Sequence, residues 1–306
     1  MSELHVVLGA TGAIGAAVVA ELTDRGHRVR AVSRNGGDPD GFKADVATTE
    51  GAVAACEGAD VVYQCAQPPY AGWTERFPGL VDAVLTGVEA AGAKLVMADN
   101  LYVYGPVDGP MTEDHPYEAA YPKGRVRAEI DRLILRAHDS GRIRAALGRA
   151  SDYYGPGGVA TILGPNVFAA AVEGRTIRWV GDLDQPHTVS YLPDIAAALA
   201  TLGEHDHADG RAWHLPAADA VTGREFLALV RAAAGGSPRS AGLGRGAERL
   251  IGLFNPTVRE LAETRYQRDR PFVVDDSAFR EAFGPVQVTP HEDGVSATLD
   301  WYRHRR

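Results

Sequence analysis

Gly9-Ala10-Thr11-Gly12-Ala13-Ile14-Gly15 follows directly on the apolar run Leu4 to Leu8 and opens an amphipathic stretch closed by Gly26. In a strand, glycine turn and helix taken in that order, each glycine has its own task. The first permits a tight turn, the second lets backbone N–H groups come close to a ligand, and the third lets the helix lie against the strand. The helix that starts there carries partial positive charge and unbonded amides at its N-terminus, which suit a phosphate. Without a ligand the same residues still make a tight turn, so their surroundings have to distinguish the two readings.

Outward from the turn, short apolar runs alternate with longer amphipathic ones. Leu4 to Leu8 and Arg28 to Ser33 read as strands around a helix from Ala13 to Arg25. Asp60 to Ala66, Lys94 to Ala98 and Ile143 to Leu147 read as further buried strands, with helices expected over Phe77 to Ala91 and Gly124 to His138. The expected fold is α/β, a doubly wound parallel (Rossmann) sheet of six strands with five crossovers. It implies a dinucleotide-binding core over residues 1–150 and a smaller, mainly substrate-binding part over 151–306, some of whose segments return to the core sheet. In that second part, helices are expected near Asp194 to Leu202, Gly223 to Ala234 and Asp293 to Tyr302, and strands near Thr176 to Val180 and Arg211 to Leu215.

Composition narrows the class. The 306 residues are 45% hydrophobic and carry a formal charge of −9, with 31 basic against 40 acidic side chains. That balance leaves no basic footprint for nucleic acid. Cys56 and Cys65 are too few for a disulfide framework or a zinc site, and no histidine pair has metal-ligand spacing. No metal is expected. No secretory leader pattern and no stretch of eighteen apolar residues is read, so a cytoplasmic protein that keeps clear of membranes is expected.

The second strand sharpens the ligand. Its end, about twenty residues beyond the turn, is where a protein that binds NAD sets an acid on the ribose hydroxyls. Ser33 and Arg34 stand there instead. A hydroxyl and a guanidinium both suit a 2′-phosphate, so the expected cofactor is NADP(H), held by Gly9, Thr11, Gly12, Ala13, Ile14, Ser33 and Arg34.

Beyond the glycine turn, the Asp45-Val46 pair, Cys65-Ala66, Tyr104-Gly105, Glu113 to Pro116, Tyr153-Tyr154-Gly155-Pro156-Gly157 and Tyr191-Leu192-Pro193-Asp194 occur in matching order and spacing. The chain thereby resembles the extended short-chain dehydrogenase/reductase family over most of its length. The resemblance implies that Asp45 and Val46 edge the adenine and that Cys65 and Ala66 line the cofactor near its nicotinamide ribose. It also implies a tyrosine acid, a lysine one helical turn later and a serine or threonine on the substrate oxygen.

This chain departs from that set. The tyrosine match is Tyr121, but Arg125 occupies the lysine position, and four residues before Tyr104 stands Asn100. Arginine keeps the positive charge and can hold ribose hydroxyls, yet it exchanges no proton at working pH. Lys123 lies only two residues from Tyr121, which on a regular helix turns it to another face. An amide at 100 can hydrogen-bond a carbonyl oxygen but cannot relay a proton as a hydroxyl does. Tyr121 also precedes Pro122 and so fits a helix start, and Asp194 fits an N-cap. Tyr102 and Tyr104 have strand-end spacing, and Ser151 and Asp152 follow the last core strand, where open sheets place ligands.

The leading expectation is an NADP(H)-dependent oxidoreductase, a reductase of a carbonyl or activated alkene in a small molecule, acting as a monomer or homodimer. A sugar-nucleotide epimerase or dehydratase is the alternative, for which Arg175, Arg178 and Arg245 are candidate diphosphate contacts. A non-catalytic NADP(H) sensor is the third reading, kept open by the altered lysine and serine positions. Substrate choice is assigned to the irregular segments Val107 to Tyr117, Gly155 to Gly164 and Ser237 to Tyr266.

Overall fold

The computed structural model describes residues 3–37, 41–236, 238–244, 246 and 261–305. Arg245 and much of the Ser237 to Tyr266 segment lie outside the described residues. The chain divides into two compact units, one of residues 1–105, 116–150 and 195–215, the other of 106–115, 151–194 and 216–306.

The first unit is built on a parallel sheet. Its strands are β1 (Leu4–Leu8), β2 (Arg28–Ser33), β3 (Phe42–Lys43), β4 (Val61–Gln64), β5 (Lys94–Asn100), β6 (Arg144–Ala150) and the returning strand Ala212–His214. Their spatial order is Ala212–His214, β6, β5, β4, β1, β2, β3, every pair parallel. The order reverses at β1, which is the doubly wound arrangement expected. Seven strands replace the six expected. The seventh is Ala212–His214, which lies within the strand expected near Arg211 to Leu215, and β3 is only two residues long.

Helices α1 (Ala13–Asp24), α2 (Thr49–Cys56), α3 (Trp73–Ala91) and α4 (Pro122–Asp139) connect the strands. One face of the sheet, with Val6, Leu8, Val32, Val62, Leu95 and Leu147, shares a core with residues of α2, α3 and α4 such as Ala55, Val84 and Ile130. On the other face a β-carbon at Gly148 of β6 would stand 2.6 Å from Leu199, in the helix Leu192–Glu204. Helix α3 starts four residues before the expected Phe77, with Pro78 inside it. Trp73 anchors that extra turn, being buried while its indole N–H donates to the Pro68 carbonyl at 3.1 Å. Tyr102–Tyr104 forms a 3-10 turn rather than a strand end.

The second unit has its own aromatic core of Tyr154, Phe168, Trp179, Tyr191, Phe226 and Tyr302. Short strand pairs join Ser190–Tyr191 to Tyr153–Tyr154 and Ser240–Leu243 to Ile177–Val180. Asp194 is not an N-cap, because the helix begins at Leu192. Its carboxylate instead accepts from the backbone N–H of Thr289 at 2.9 Å and from its hydroxyl at 2.8 Å. Among the described residues no helix is long and apolar enough to cross a membrane.

At the opposite end of β1 from the glycine turn, His5 is fully buried. Its Nδ1 lies 3.1 Å from the Tyr63 hydroxyl and its ring centroid 4.1 Å from that of His27. Burial first, then the neighbouring His27, holds the His5 imidazole down to about 4. The unfolded chain therefore takes up a proton near the usual 6.5 that the folded chain refuses, and this term removes stability as pH falls from 6.5 to 4. In His5→Gln, the slope of unfolding free energy against pH in that window should be shallower than wild type by about 1.4 kcal/mol per pH unit. Urea melts at half-unit pH steps measure it, and parallel slopes for the two proteins would refute the assignment.

Candidate active site

Because all strands of the first unit run parallel, their carboxyl ends share one edge, and most of the residues singled out from the sequence collect there. Gly9 follows β1, Ser33 ends β2, Cys65 and Ala66 follow β4 and Asn100 ends β5. The glycine turn is closely fitted to its neighbours. Gly9 has φ +80°, and a β-carbon on it would stand 2.7 Å from the Ala66 Cα. One on Gly15 would stand 2.2 Å from the Gly9 carbonyl oxygen. Gly12 is the N-cap of α1 and contributes no side-chain hydrogen bond, and the first turn, with Ala13 and Ile14, holds no acidic residue. Those first-turn amides are thus suited to an outside acceptor. Thr11 is exposed beside this opening.

At the end of β2, Ser33 is buried with an unpartnered Oγ, and Arg34 is exposed. Asp45 is exposed and folds on itself, its Oδ1 accepting the Ala47 N–H at 3.1 Å and its carbonyl the Thr48 N–H at 3.1 Å, while Val46 is buried. The Gln64 amide donates to the Ala66 carbonyl at 2.7 Å, fixing the exit of β4 against the glycine turn. Burial pushes the Cys65 thiol up to about 12, which favours the neutral thiol at neutral pH.

The candidate catalytic groups lie on β5 and α4. Asn100 Oδ1 accepts the Tyr102 N–H at 3.0 Å, so the amide has its N–H groups to offer a substrate oxygen. Tyr121 precedes the helix in extended conformation, with Pro122 at its first position, and is 43% exposed. Tyr121, Arg125 and Glu129 share the exposed face of α4, whereas Lys123, Arg127 and Asp131 share the buried one. The Arg125 guanidinium donates to the Ala120 carbonyl. Lys123 is buried where Tyr121 is exposed, with Nζ 4.5 Å from the centre of the Tyr70 ring.

Sequence reasoning missed the charged knot beneath these groups. Arg149, fully buried on β6, donates to Asp99 at 3.3 Å, to the Tyr104 hydroxyl, to the Tyr117 hydroxyl and to Asp131. Arg127 donates to the other Asp99 oxygen at 3.0 Å and lies 4.3 Å from the Trp73 ring and 4.5 Å from the Phe77 ring. The Tyr104 hydroxyl also meets His214 Nε2 at 2.8 Å. Burial opposes the charge on Arg149, but Asp131, Tyr104 and Asp99 outweigh it and the guanidinium stays charged. Burial and then Asp99 push the Asp131 carboxyl above the usual carboxylate range. Asp99 adjoins Asn100, so the knot fixes the strand end that carries the candidate oxyanion donor. Its signal in the sequence was a set of charges, Asp99, Arg127, Asp131 and Arg149, placed on otherwise inward-facing positions.

In the second unit, the Ser151 hydroxyl donates to the Thr188 carbonyl at 2.6 Å. Asp152 lies 3.4 Å from His187 Nε2 and 4.0 Å from Arg268. Burial raises the Asp152 carboxyl, but His187 and Arg268 more than offset this, leaving it below its ordinary range. Arg175 pairs with Glu173 at the surface, and Arg178 is also exposed. Among the described residues, no group of three or more His, Cys, Asp or Glu is placed to hold a metal.

The sequence model described as the NAD dependent epimerase/dehydratase family matches residues 5–215. A 3β-hydroxysteroid-dehydrogenase/decarboxylase isoform 2 of Arabidopsis thaliana is 23% identical over 298 residues, covering 86% of this chain and 52% of that protein. A dTDP-glucose 4,6-dehydratase of Xanthomonas campestris is 25% identical over 202 residues, 65% of this chain and 55% of that one. The chain thus spans about half the length of these curated relatives. Among solved structures, DesIV, the NAD-bound dTDP-glucose 4,6-dehydratase of Streptomyces venezuelae, aligns with TM-score 0.79 and 20% identity over 99% of this chain and 98% of its own. The NAD complex of UDP-glucose 4-epimerase from Thermus thermophilus aligns with TM-score 0.75 and 20% identity, over 98% and 99% of the two chains. At such identity the structures speak to the fold alone.

Two variants probe this geometry. Gly15→Ala should open the turn and weaken NADPH and NADH alike by about tenfold or more, read by quenching of intrinsic fluorescence. Unchanged affinity would show that the turn carries no ligand. Arg149→Met takes the cation from buried Asp131, leaves Asp99 to Arg127 alone, and should lower unfolding free energy in urea by about 3–5 kcal/mol. A loss below about 1 kcal/mol would mean that water relieves the knot.

Proposed function

The chain belongs to the NAD dependent epimerase/dehydratase family, and on that premise we propose that it is an enzyme of hydride transfer, acting at a hydroxyl- or carbonyl-bearing carbon of a small molecule. The observation that carries this reading is the fit of the glycine turn, where a β-carbon at Gly9 or Gly15 would strike backbone and α1 begins with amides left for an acceptor. A nicotinamide dinucleotide seated there would supply the hydride chemistry. The residues of the chain bind, orient and handle the proton. Gly9, Gly12, Ala13 and Ile14 receive the pyrophosphate, and Cys65 and Ala66 border the nicotinamide end.

The names of the relatives weigh toward a sugar-nucleotide dehydratase or epimerase more than toward the free-standing reductase expected from the sequence. Both reactions need a group that binds the substrate oxygen as hydride moves, and Asn100 is our choice. The reductase reading keeps two supports of its own. Asn100 has its carbonyl oxygen engaged by the Tyr102 N–H, and its amide N–H groups suit a carbonyl oxygen or an oxyanion. Ser33 and Arg34 stand where a ribose-binding acid would be, which favours NADP(H) over the NAD held by the structural neighbours. Tyr121, on the open face of α4, is the proposed proton donor, with Arg125 as a fixed positive charge one turn on.

The two reactions separate in one assay series. The protein is incubated with dTDP-glucose or UDP-glucose and NAD, and in parallel with NADPH and a panel of small carbonyl compounds, with products followed by mass spectrometry. In whichever reaction proceeds, Asn100→Ala should reduce kcat by about 100-fold to 1,000-fold, while coenzyme affinity stays within about twofold. Full turnover in that variant would remove Asn100 from the mechanism.

A further inference from the structure

The residues that meet the adenosine end follow from the register of β3, the two-residue strand at the sheet edge, an inference that rests on the dinucleotide reading above. β3 pairs with β2 so that Val32 aligns with Phe42 and Ser33 with Lys43. Aligned residues on neighbouring strands turn their side chains to the same face, and successive residues alternate. The Arg30 guanidinium lies 5.2 Å from the centre of the Phe42 ring and donates to the carbonyls of Ala55 and Glu57 at the end of α2. Val32 likewise belongs to the core shared with α2, so the Val32–Phe42 pair faces that helix. The Ser33–Lys43 pair therefore faces the other way, the side of the glycine turn. A β-carbon at Gly37 would stand 2.9 Å from the Thr11 methyl and 3.6 Å from Ser33 Oγ, which places the loop after β2 against that turn.

Ser33 is only 9% exposed and its Oγ has no hydrogen-bond partner, a cost that an incoming oxygen would relieve. Arg34 and Lys43 are exposed on either side of it in the pairing, two cations at one sheet edge of a chain whose net charge is −9. Asp45 is the acid nearest in sequence on the described side, and its carboxylate is engaged by the Ala47 N–H. Asp38 and Asp40 lie outside the described residues.

We infer that Lys43 completes a three-point cradle with Ser33 and Arg34 for a phosphate monoester on the adenosine ribose, and so helps to set the preference for NADP(H) over NAD(H). Ser33 donates its hydroxyl proton to a phosphate oxygen, while Arg34 and Lys43 approach as charges. Because both cations are exposed, the preference is sensitive to salt.

The test is binding by the intact chain, with fluorescence titrations of NADPH, NADH, 2′,5′-ADP and 5′-ADP at two ionic strengths. Wild type should bind NADPH more tightly than NADH and 2′,5′-ADP more tightly than 5′-ADP, both margins narrowing in high salt. Lys43→Met should weaken NADPH and 2′,5′-ADP by about fivefold to tenfold and leave NADH within about twofold, and Lys43→Arg should restore most of the loss. The unchanged NADH affinity also reports that the variant is folded. If Lys43→Met leaves the NADPH margin intact, or weakens NADH equally, the role of Lys43 falls while the dinucleotide reading stands. If wild type binds NADH as tightly as NADPH, the cradle as a whole is rejected. If neither nucleotide binds, the proposed function itself fails.

Discussion

Backbone touching backbone at Gly9 is the constraint on which the first unit depends. With φ +80° and no side chain, Gly9 lets the exit of β4 at Ala66 and the start of α1 at Gly15 close on the same point. The turn, the helix it opens and the exit of a strand distant in sequence thereby share one small volume. No larger residue satisfies the left-handed backbone and the contact together, because strain and clash add. The order of the sheet, with β1 flanked by β2 and β4, is the larger expression of that meeting point.

How far this was legible depended on the kind of signal each residue gave. β1, β2 and the glycine turn could be read because period, composition and punctuation agree over them. The start of α3 could not, since the buried Trp73 holds an additional turn through tertiary contact. β3 could not be given bounds because two residues carry no alternation, yet its register locates Lys43. Tyr102 and Tyr104 looked like strand residues by spacing, and the 3-10 turn they form follows from the buried partners of Tyr104, Arg149 and His214. Among the site residues, those near the dinucleotide turn could be named from the motif, because backbone geometry demands them. The groups that handle a proton could not be ordered in the same way, because Asn100 and Arg125 break the pattern and only their contacts reveal what they are free to do.

The charges of the first unit are distributed so that one end of α4 stays rigid while its face stays open. Arg149 and Arg127 grip Asp99 from β6 and from α4, so the end of β5 and the helix are joined through a single carboxylate. Lys123 and Arg127 lie against aromatic rings on the inward side, leaving Tyr121 and Arg125 outward. The second unit repeats the theme on a smaller scale, with Asp152 between His187 and Arg268.

The brevity of the outermost strands has a consequence for the protein in a crowded solution. The sheet ends on one side in the two residues of β3 and on the other in the three residues of Ala212–His214. A growing fibril or a stray strand needs a long run of unsatisfied amides and carbonyls on which to template itself, and each outermost strand presents only a short one. These two outermost strands therefore offer little on which copies could stitch together through their margins.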